Sequence, residues 1–194
     1  RPLEEKTRDP AVAAGALAKI AGALLAAGTP PVVQTAALQA LWDLEVAGAA
    51  DILIAFVGDD RKAGATRAAA LATLDKIKDP RLADAVQLAG ASANPELRLA
   101  ALPIASRLSP AAAAPVVANL IAHGSTAEQK AAYRTLGLSR HPTVDTLLAT
   151  QLRELAAGHL AAEVQLELIN AAGRRRDPAI KELLAARETA DTLS

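Results

Sequence analysis

The chain has 194 residues, with 21 basic and 21 acidic side chains, no cysteine, no methionine, and one residue each of Trp, Tyr and Phe. The balanced charge argues against nucleic-acid binding, because a polyanion is bound through a surplus of Lys and Arg. The lack of cysteine excludes disulfides, thiolate nucleophiles, cysteine-ligated zinc and covalently attached haem within these residues. Alanine supplies about half of the apolar residues, which make up 52% of the chain, and this favours closely packed helices.

The N-terminal segment, residues 1–9, is polar and is expected to precede the folded domain. The longest weakly polar run, residues 11–28, consists mostly of Ala and Gly and carries Lys19 near its middle. A membrane-spanning helix needs about 20 strongly apolar residues, so we expect no transmembrane segment. The chain starts at Arg1, contains no methionine and opens on no signal peptide, and we interpret it as a piece excised from a longer protein.

Two sequence registers repeat along the rest of the chain. In the first, a Gln, Arg or Lys is followed by small and then larger apolar residues at intervals of 31 to 35 residues, at Gln34, Arg67, Arg98, Lys130 and Gln165. In the second, a Pro, or a Gly in one unit, marks a predicted helix start, at Pro10, Gly48, Pro80, Pro110, Pro142 and Pro178. Proline suits the first turn of a helix because its φ is preset and the amide that it lacks has no partner there. The agreement of the two registers indicates a helical repeat.

These registers predict five helical pairs, and no segment alternates with the period of a β-strand. The first helices of the pairs are predicted over residues 10–27, 48–57, 80–91, 110–123 and 142–157. The second helices are predicted over 31–46, 61–77, 95–107, 126–138 and 161–173, and a lone helix begins at Pro178. Pro103 and Pro115 fall inside predicted helices and should kink them. We expect one repeat domain over residues 10–187 and a tail over 188–194.

The pattern resembles the HEAT-repeat family, whose unit is a helical pair with a basic residue and paired small residues early in the second helix. The best match is Asn94-Pro95-Glu96-Leu97-Arg98-Leu99-Ala100-Ala101-Leu102, and five units over about residues 10–173 follow it. The resemblance implies an all-α fold, a right-handed α-α superhelix with five helical pairs and a partial unit. Each pair of such a solenoid buries its faces by stacking on its neighbours.

The repeated residues Gln34, Arg67, Arg98, Lys130 and Gln165 are interpreted as a structural ladder. We expect their side chains to bridge adjacent repeats by bonding to loop carbonyls or carboxylates, with Arg67 and Arg98 substantially buried. The alternative is a row of binding groups along a groove. Two of the five are neutral Gln, which argues against a phosphate-binding track.

Basic residues supply the candidate partner-binding set, Arg134, Arg174, Arg175 and Arg176. The last three form the one basic cluster of the sequence, at the end of a predicted helix. Cations there complement the negative end of the helix dipole, so a capping role is favoured over a partner-binding patch.

The histidines His123, His141 and His159 lie at predicted helix ends, which suits capping. His159, Glu163 and Glu167 are spaced to share one helix face and could donate metal ligands, but such spacing is more typical of a solvated face. The chain has no His-Glu-x-x-His motif, nucleophile elbow, phosphate-cradling loop or dinucleotide fingerprint. We therefore expect no catalysis, no cofactor and no bound metal.

Trp42 beside Asp43 invites comparison with the HEAT-like DNA glycosylases, which use aromatic and acidic residues on a basic surface. Three aromatic residues in the whole chain leave little to stack on bases. We favour packing of Trp42 in the core or at its rim, and expect no nucleic-acid partner.

The C-terminal stretch from Ala162 to Lys181 resembles the last HEAT unit of certain large secreted bacterial proteins. In those proteins the repeats lie between a sugar-dehydrogenase-like β-propeller and a c-type cytochrome domain. This narrower resemblance implies a periplasmic or secreted location, which nothing else in the sequence addresses.

Two functions remain open at this point. The favoured one is a non-enzymatic scaffold that contacts a protein partner or flanking domains. The alternative is an interaction domain of a multidomain redox enzyme whose catalysis lies outside this chain. The sequence leaves the partner, the oligomeric state and the binding face undefined.

Overall fold

The computed structural model describes residues 9–139 and 141–193 of the chain. These residues form eleven α-helices and one short 3-10 helix, and no β-strand occurs among them. The structure is 78% helical, so the predicted all-α fold class is confirmed.

Within the described residues, the helices follow one another as five pairs and a last single helix. The first helices of the pairs are α1 (Pro10–Leu24), α3 (Ala50–Gly58), α5 (Leu82–Gly90), α7 (Pro110–His123) and α9 (Thr143–Ala156). The second helices are α2 (Pro31–Asp43), α4 (Gly64–Lys76), α6 (Pro95–Leu108), α8 (Thr126–Leu138) and α10 (Ala162–Gly173). The 3-10 turn Ala47–Ala49 precedes α3, and the single helix is α11 (Pro178–Leu193). The predicted helices of the five pairs begin and end within three residues of these bounds.

Capping interactions at the helix starts explain why the repeated prolines predicted those starts. The Asp9 side chain accepts a hydrogen bond from the amide of Ala11 at 2.9 Å, and Pro10 follows as the first residue of α1. At the start of α8, Ser125 and Glu128 form a reciprocal capping box. Pro80 and Pro142 differ slightly from prediction, because they lie just before α5 and α9 and not inside them.

The chain divides into two compact units, a first unit up to Ala100 and a second unit from Ala101. In the first unit, α4 packs against α2, α3 and α5, and α3 also packs against α5. In the second unit, α10 packs against α8, α9 and α11, and α9 also packs against α11. Helices two apart along the chain are therefore in contact in both units, in the pairs α2–α4, α3–α5, α8–α10 and α9–α11.

Leucine and alanine build both cores, as the composition predicts. The fully buried larger side chains of the first unit include Leu38, Leu41, Leu53, Leu71 and Leu74. Those of the second unit include Leu120, Tyr133, Leu148, Leu168 and Ile180. Alanines buried between them let neighbouring helices approach closely.

Candidate functional site

A polar residue occupies the fourth position of all five second helices, and it bonds to the first helix of its pair or to the loop that joins the two helices. The side chains of Gln34, Arg67, Arg98, Gln129 and Gln165 donate to the carbonyls of Ala26 (2.8 Å), Val57 (2.8 Å), Ser92 (2.8 Å), Ile121 (3.0 Å) and Leu160 (2.9 Å), respectively. Val57 and Ile121 lie in the last turns of α3 and α7, where a carbonyl has no partner within its own helix, so the side-chain donor satisfies it. The other three acceptors are carbonyls of the loops that join the helices of a pair.

These five bonds stay within one helical pair, whereas the sequence led us to expect bonds between neighbouring repeats. Arg67 is 3% exposed, as expected, while Arg98 is only half-buried. In the fourth pair the position belongs to Gln129 and not to Lys130. The ammonium of Lys130 lies 4.0 Å from the Glu167 carboxylate of the next pair, so Lys130 does link neighbouring pairs. Counting from the helix start would have identified Gln129.

The structure separates the four arginines that the sequence grouped as partner-binding candidates. Arg175 is 10% exposed, and its Nε lies 2.5 Å from the Asp145 carboxylate while its other nitrogens donate to the carbonyls of Ser139 and His141. This side chain ties the loop after α10 to the start of α9. Arg176 is exposed on that loop. Arg134 and Arg174 are brought together on α8 and α10, where they line one groove.

A matching link in the first unit was not found from the sequence. Arg81 bonds to Asp51, which lies 30 residues before it and near the start of α3, as Asp145 does near the start of α9. Arg81 also pairs with Asp79 at 3.1 Å, and this hydrogen bond lowers the pKa of the Asp79 carboxyl below its usual value. The common spacing of 30 residues in Asp51–Arg81 and Asp145–Arg175 is the signal that would have found both links.

A cleft of about 780 Å³ lies in the second unit between α6, α7, α8 and α9. Its walls are mainly apolar and include Pro103, Val117, Leu136, Val144 and Leu147. Its polar groups are the side chains of Arg107, His141 and a few hydroxyl residues. An apolar concave surface with few polar groups is the usual form of a binding site.

A smaller groove of about 330 Å³ lies between α8 and α10, and Leu138 lines both this groove and the cleft. A Cβ on Gly137 would lie 2.9 Å from the Cα of Ala171 and 3.6 Å from the Cδ of Arg174. Gly137 therefore allows α8 and α10 to approach, with the stem of Arg174 passing over it. The guanidinium of Arg134 lies 3.4 Å from Glu167 in the same groove.

The structure does not bring His159, Glu163 and Glu167 together as the ligands of one metal ion. His159 Nδ1 lies 2.9 Å from Glu154, and Glu167 faces Lys130 and Arg134. Over the described ranges, no three His, Cys, Asp or Glu side chains are grouped so that they could hold a metal ion.

The half-buried ring of Trp42 faces the ammonium of Lys76 at 4.9 Å, and that ammonium also lies 3.8 Å from Glu45. The neighbouring Asp43 accepts a hydrogen bond from Gln39 at 2.9 Å. Trp42 thus lies at the rim of the first unit, as the sequence favoured, with a cation above its ring.

No protein-family model, no curated protein and no solved structure matches the chain. Among the helices of the described residues, none combines the length and the apolar character needed to cross a membrane.

Proposed function

We propose that this chain is a HEAT-like helical-repeat scaffold without enzymatic activity, which binds a segment of a protein partner. The succession of five helical pairs within the described residues supports the repeat assignment, as does the polar residue at the fourth position of each second helix. Contacts between helices two apart within each unit are the packing that a solenoid requires.

The observation that carries the binding role is the apolar cleft of about 780 Å³ in the second unit. Solvent-exposed apolar surface of this kind commonly marks a site of association, because covering it releases water from apolar groups. The exposed Leu138 at its edge adds to the surface that a partner would cover.

The experiment is a selection of binding peptides from a display library, carried out on the intact chain and on two variants. Leu138→Asp places a charge at the edge of the cleft, and we expect it to abolish capture of the selected peptides. Leu166→Asp is the matched control, because Leu166 is also an exposed leucine of the second unit but does not line the cleft. Selected peptides that bind both variants equally would contradict a binding role for the cleft.

The alternative, an interaction domain of a redox enzyme, rests on the C-terminal sequence resemblance. It would place the same cleft in contact with a flanking domain of the parent protein. Crosslinks to a propeller or cytochrome domain in that parent, formed from a photoreactive amino acid substituted for Leu147, would favour this alternative over a separate partner.

A further inference from the structure

We propose that the cleft and the Arg134–Arg174 groove together bind a linear peptide segment of a protein partner, in which a large apolar side chain stands next to two or more carboxylates. This inference rests on the proposed function and specifies the chemistry of the partner.

The cleft and the groove form one continuous surface through Leu138. Leu138 is 71% exposed and lines both of them, and Arg134 lies one turn before it on the same face of α8. Asn170 of α10 and Arg174, which directly follows α10, are also four residues apart, and they line the other side of the groove. A bound segment that places an apolar side chain in the cleft therefore brings its neighbouring residues over the two arginines.

The groove carries an excess of positive charge although the whole chain is neutral. Arg134 and Arg174 line the groove together with one carboxylate, that of Glu167, which is 17% exposed and also lies 4.0 Å from the Lys130 ammonium. Arg134 is 66% exposed, so most of its guanidinium remains accessible while one nitrogen contacts Glu167. Arg174 is also exposed. Guanidinium groups bind carboxylates through two parallel hydrogen bonds, which makes acidic side chains the complementary ligands.

The negative charge of Glu167 favours peptide carboxylates over phosphate as the ligands of the groove. Its charge lies within the groove, held by Arg134 at 3.4 Å and by Lys130 at 4.0 Å. A phosphate group would bring close to two negative charges to one point beside it, whereas two peptide carboxylates can each face a different arginine. The adjoining apolar cleft requires a ligand that also has an apolar side chain, which inorganic phosphate lacks.

The test uses the peptides selected on the intact chain, with sequencing of the library before and after selection. We expect enrichment of sequences in which Leu, Ile or Phe adjoins Asp and Glu. The strongest of these peptides is then labelled, and its affinity is measured by fluorescence anisotropy against the parent chain and its variants, each checked for an unchanged thermal melt.

The Arg134→Glu and Arg174→Glu double variant should weaken binding by about tenfold or more, and added salt should weaken binding to the parent. Arg134→Gln removes one positive charge without introducing a negative one, and it replaces the double variant in the affinity measurement if the double variant does not fold. Arg176→Glu is the matched control, because Arg176 is an exposed arginine of the same cluster outside the groove, and it should leave the affinity unchanged.

Selected peptides that depend on Leu138 but lack acidic residues would overturn this inference and leave the proposed function standing. So would peptides whose affinity is the same for the parent chain, the Arg134→Gln variant and the double variant. Peptides that require a phosphorylated residue would overturn it in favour of an anion site. If no peptide depends on Leu138, both the inference and the proposed function fail.

Discussion

A single polar residue in each helical pair donates to a carbonyl group in the last turn of the preceding helix or in the loop that follows it. The donors differ, being amides in three pairs and guanidinium groups in two, yet each is the fourth residue of its helix. This position points back over the first turn of its own helix, toward the loop that joins the two helices of the pair. The feature that repeats along the chain is thus a hydrogen-bond donor at the fourth position of each second helix, while the charge of the donor side chain varies.

We expect Arg67→Ala to lower the free energy of unfolding by about 1–3 kcal/mol, the range for leaving a buried partner unsatisfied. Arg67 is 3% exposed and donates to the Val57 carbonyl, and its guanidinium also lies 2.8 Å from Asp60. Chemical denaturation followed by circular dichroism measures the change. Arg61→Ala is the control, because Arg61 is an exposed arginine of the same unit, and equal losses in the two variants would contradict the structural role of Arg67.

Tyr133 provides a second prediction, based on its titration. Burial raises the pKa of Tyr133 to about 12, while a tyrosine in an unfolded chain titrates near 10. The fold favours the neutral phenol, whose hydroxyl donates to Gln151 at 2.8 Å. Its contribution to stability is therefore complete below about pH 10 and is lost as the pH rises toward 12.

Phenolate absorbance measures this directly, because Tyr133 is the one tyrosine of the chain. The midpoint should lie well above 10 in native buffer and fall to about 10 in denaturant. Tyr133→Phe should remove the absorbance change. A native midpoint equal to the denatured one would show that the hydroxyl is in contact with solvent.

At this scale the sequence predicted residue types better than it predicted their partners. Arg67 was correctly expected to be buried, but bonding within a pair could not be distinguished from bonding between pairs without coordinates. When the repeated pattern is aligned on the alanines that follow the polar residue, it identifies Lys130. Counting from the start of the helix identifies Gln129. Arg175 looked like part of a basic patch, since its partner Asp145 is 30 residues away.

Helix bounds were predicted well because the start signals are local. A capping side chain or a proline acts on the amides of the next turn, and both can be identified in the sequence. Helix ends were predicted less well in the first pair, where α1 and α2 end three residues earlier than expected. Pro103 and Pro115 lie inside α6 and α7, which continue through both prolines. The cleft and the groove could not be predicted, because they depend on which helices meet.

The close approach of α8 and α10 predicts that Gly137→Ala is destabilising. The added Cβ would lie 2.9 Å from the backbone of Ala171, so the helices must separate, at a cost of about 1–3 kcal/mol. Gly173→Ala is the matched control, because no atom lies within 4 Å of its added Cβ. It should change stability by less than about 1 kcal/mol, in the favourable direction.

Comparing the denaturation of the two variants separates the steric effect of the added Cβ from the higher helix propensity of alanine. Alanine favours a helix over glycine at both positions, so a loss at Gly137 alone must come from the contact with α10. Two variants of equal stability would mean that α8 and α10 are further apart than the structure places them.

On the scale of the whole molecule, ion pairs between basic and acidic side chains occur in both units of the described chain. Arg61 pairs with Asp59 at 2.8 Å, and Arg81 and Arg175 each hold an aspartate from another helix. The chain has 21 basic and 21 acidic side chains and no net charge, so the excess in the Arg134–Arg174 groove is local. We expect a local excess of this size to favour acidic peptide segments without attracting polyanions in general.

We therefore expect the chain to show no measurable affinity for duplex or single-stranded DNA at physiological salt. Polyanion binding requires the release of many counterions, which a few cations in one groove cannot provide. Stacking on bases is also disfavoured, because the ring of Trp42 already faces Lys76 at 4.9 Å. Fluorescence anisotropy of labelled oligonucleotides measures this, with a selected acidic peptide as the positive control. DNA binding with a steep salt dependence, lost in the Arg134→Glu and Arg174→Glu double variant, would show that the groove binds nucleic acid and not a peptide.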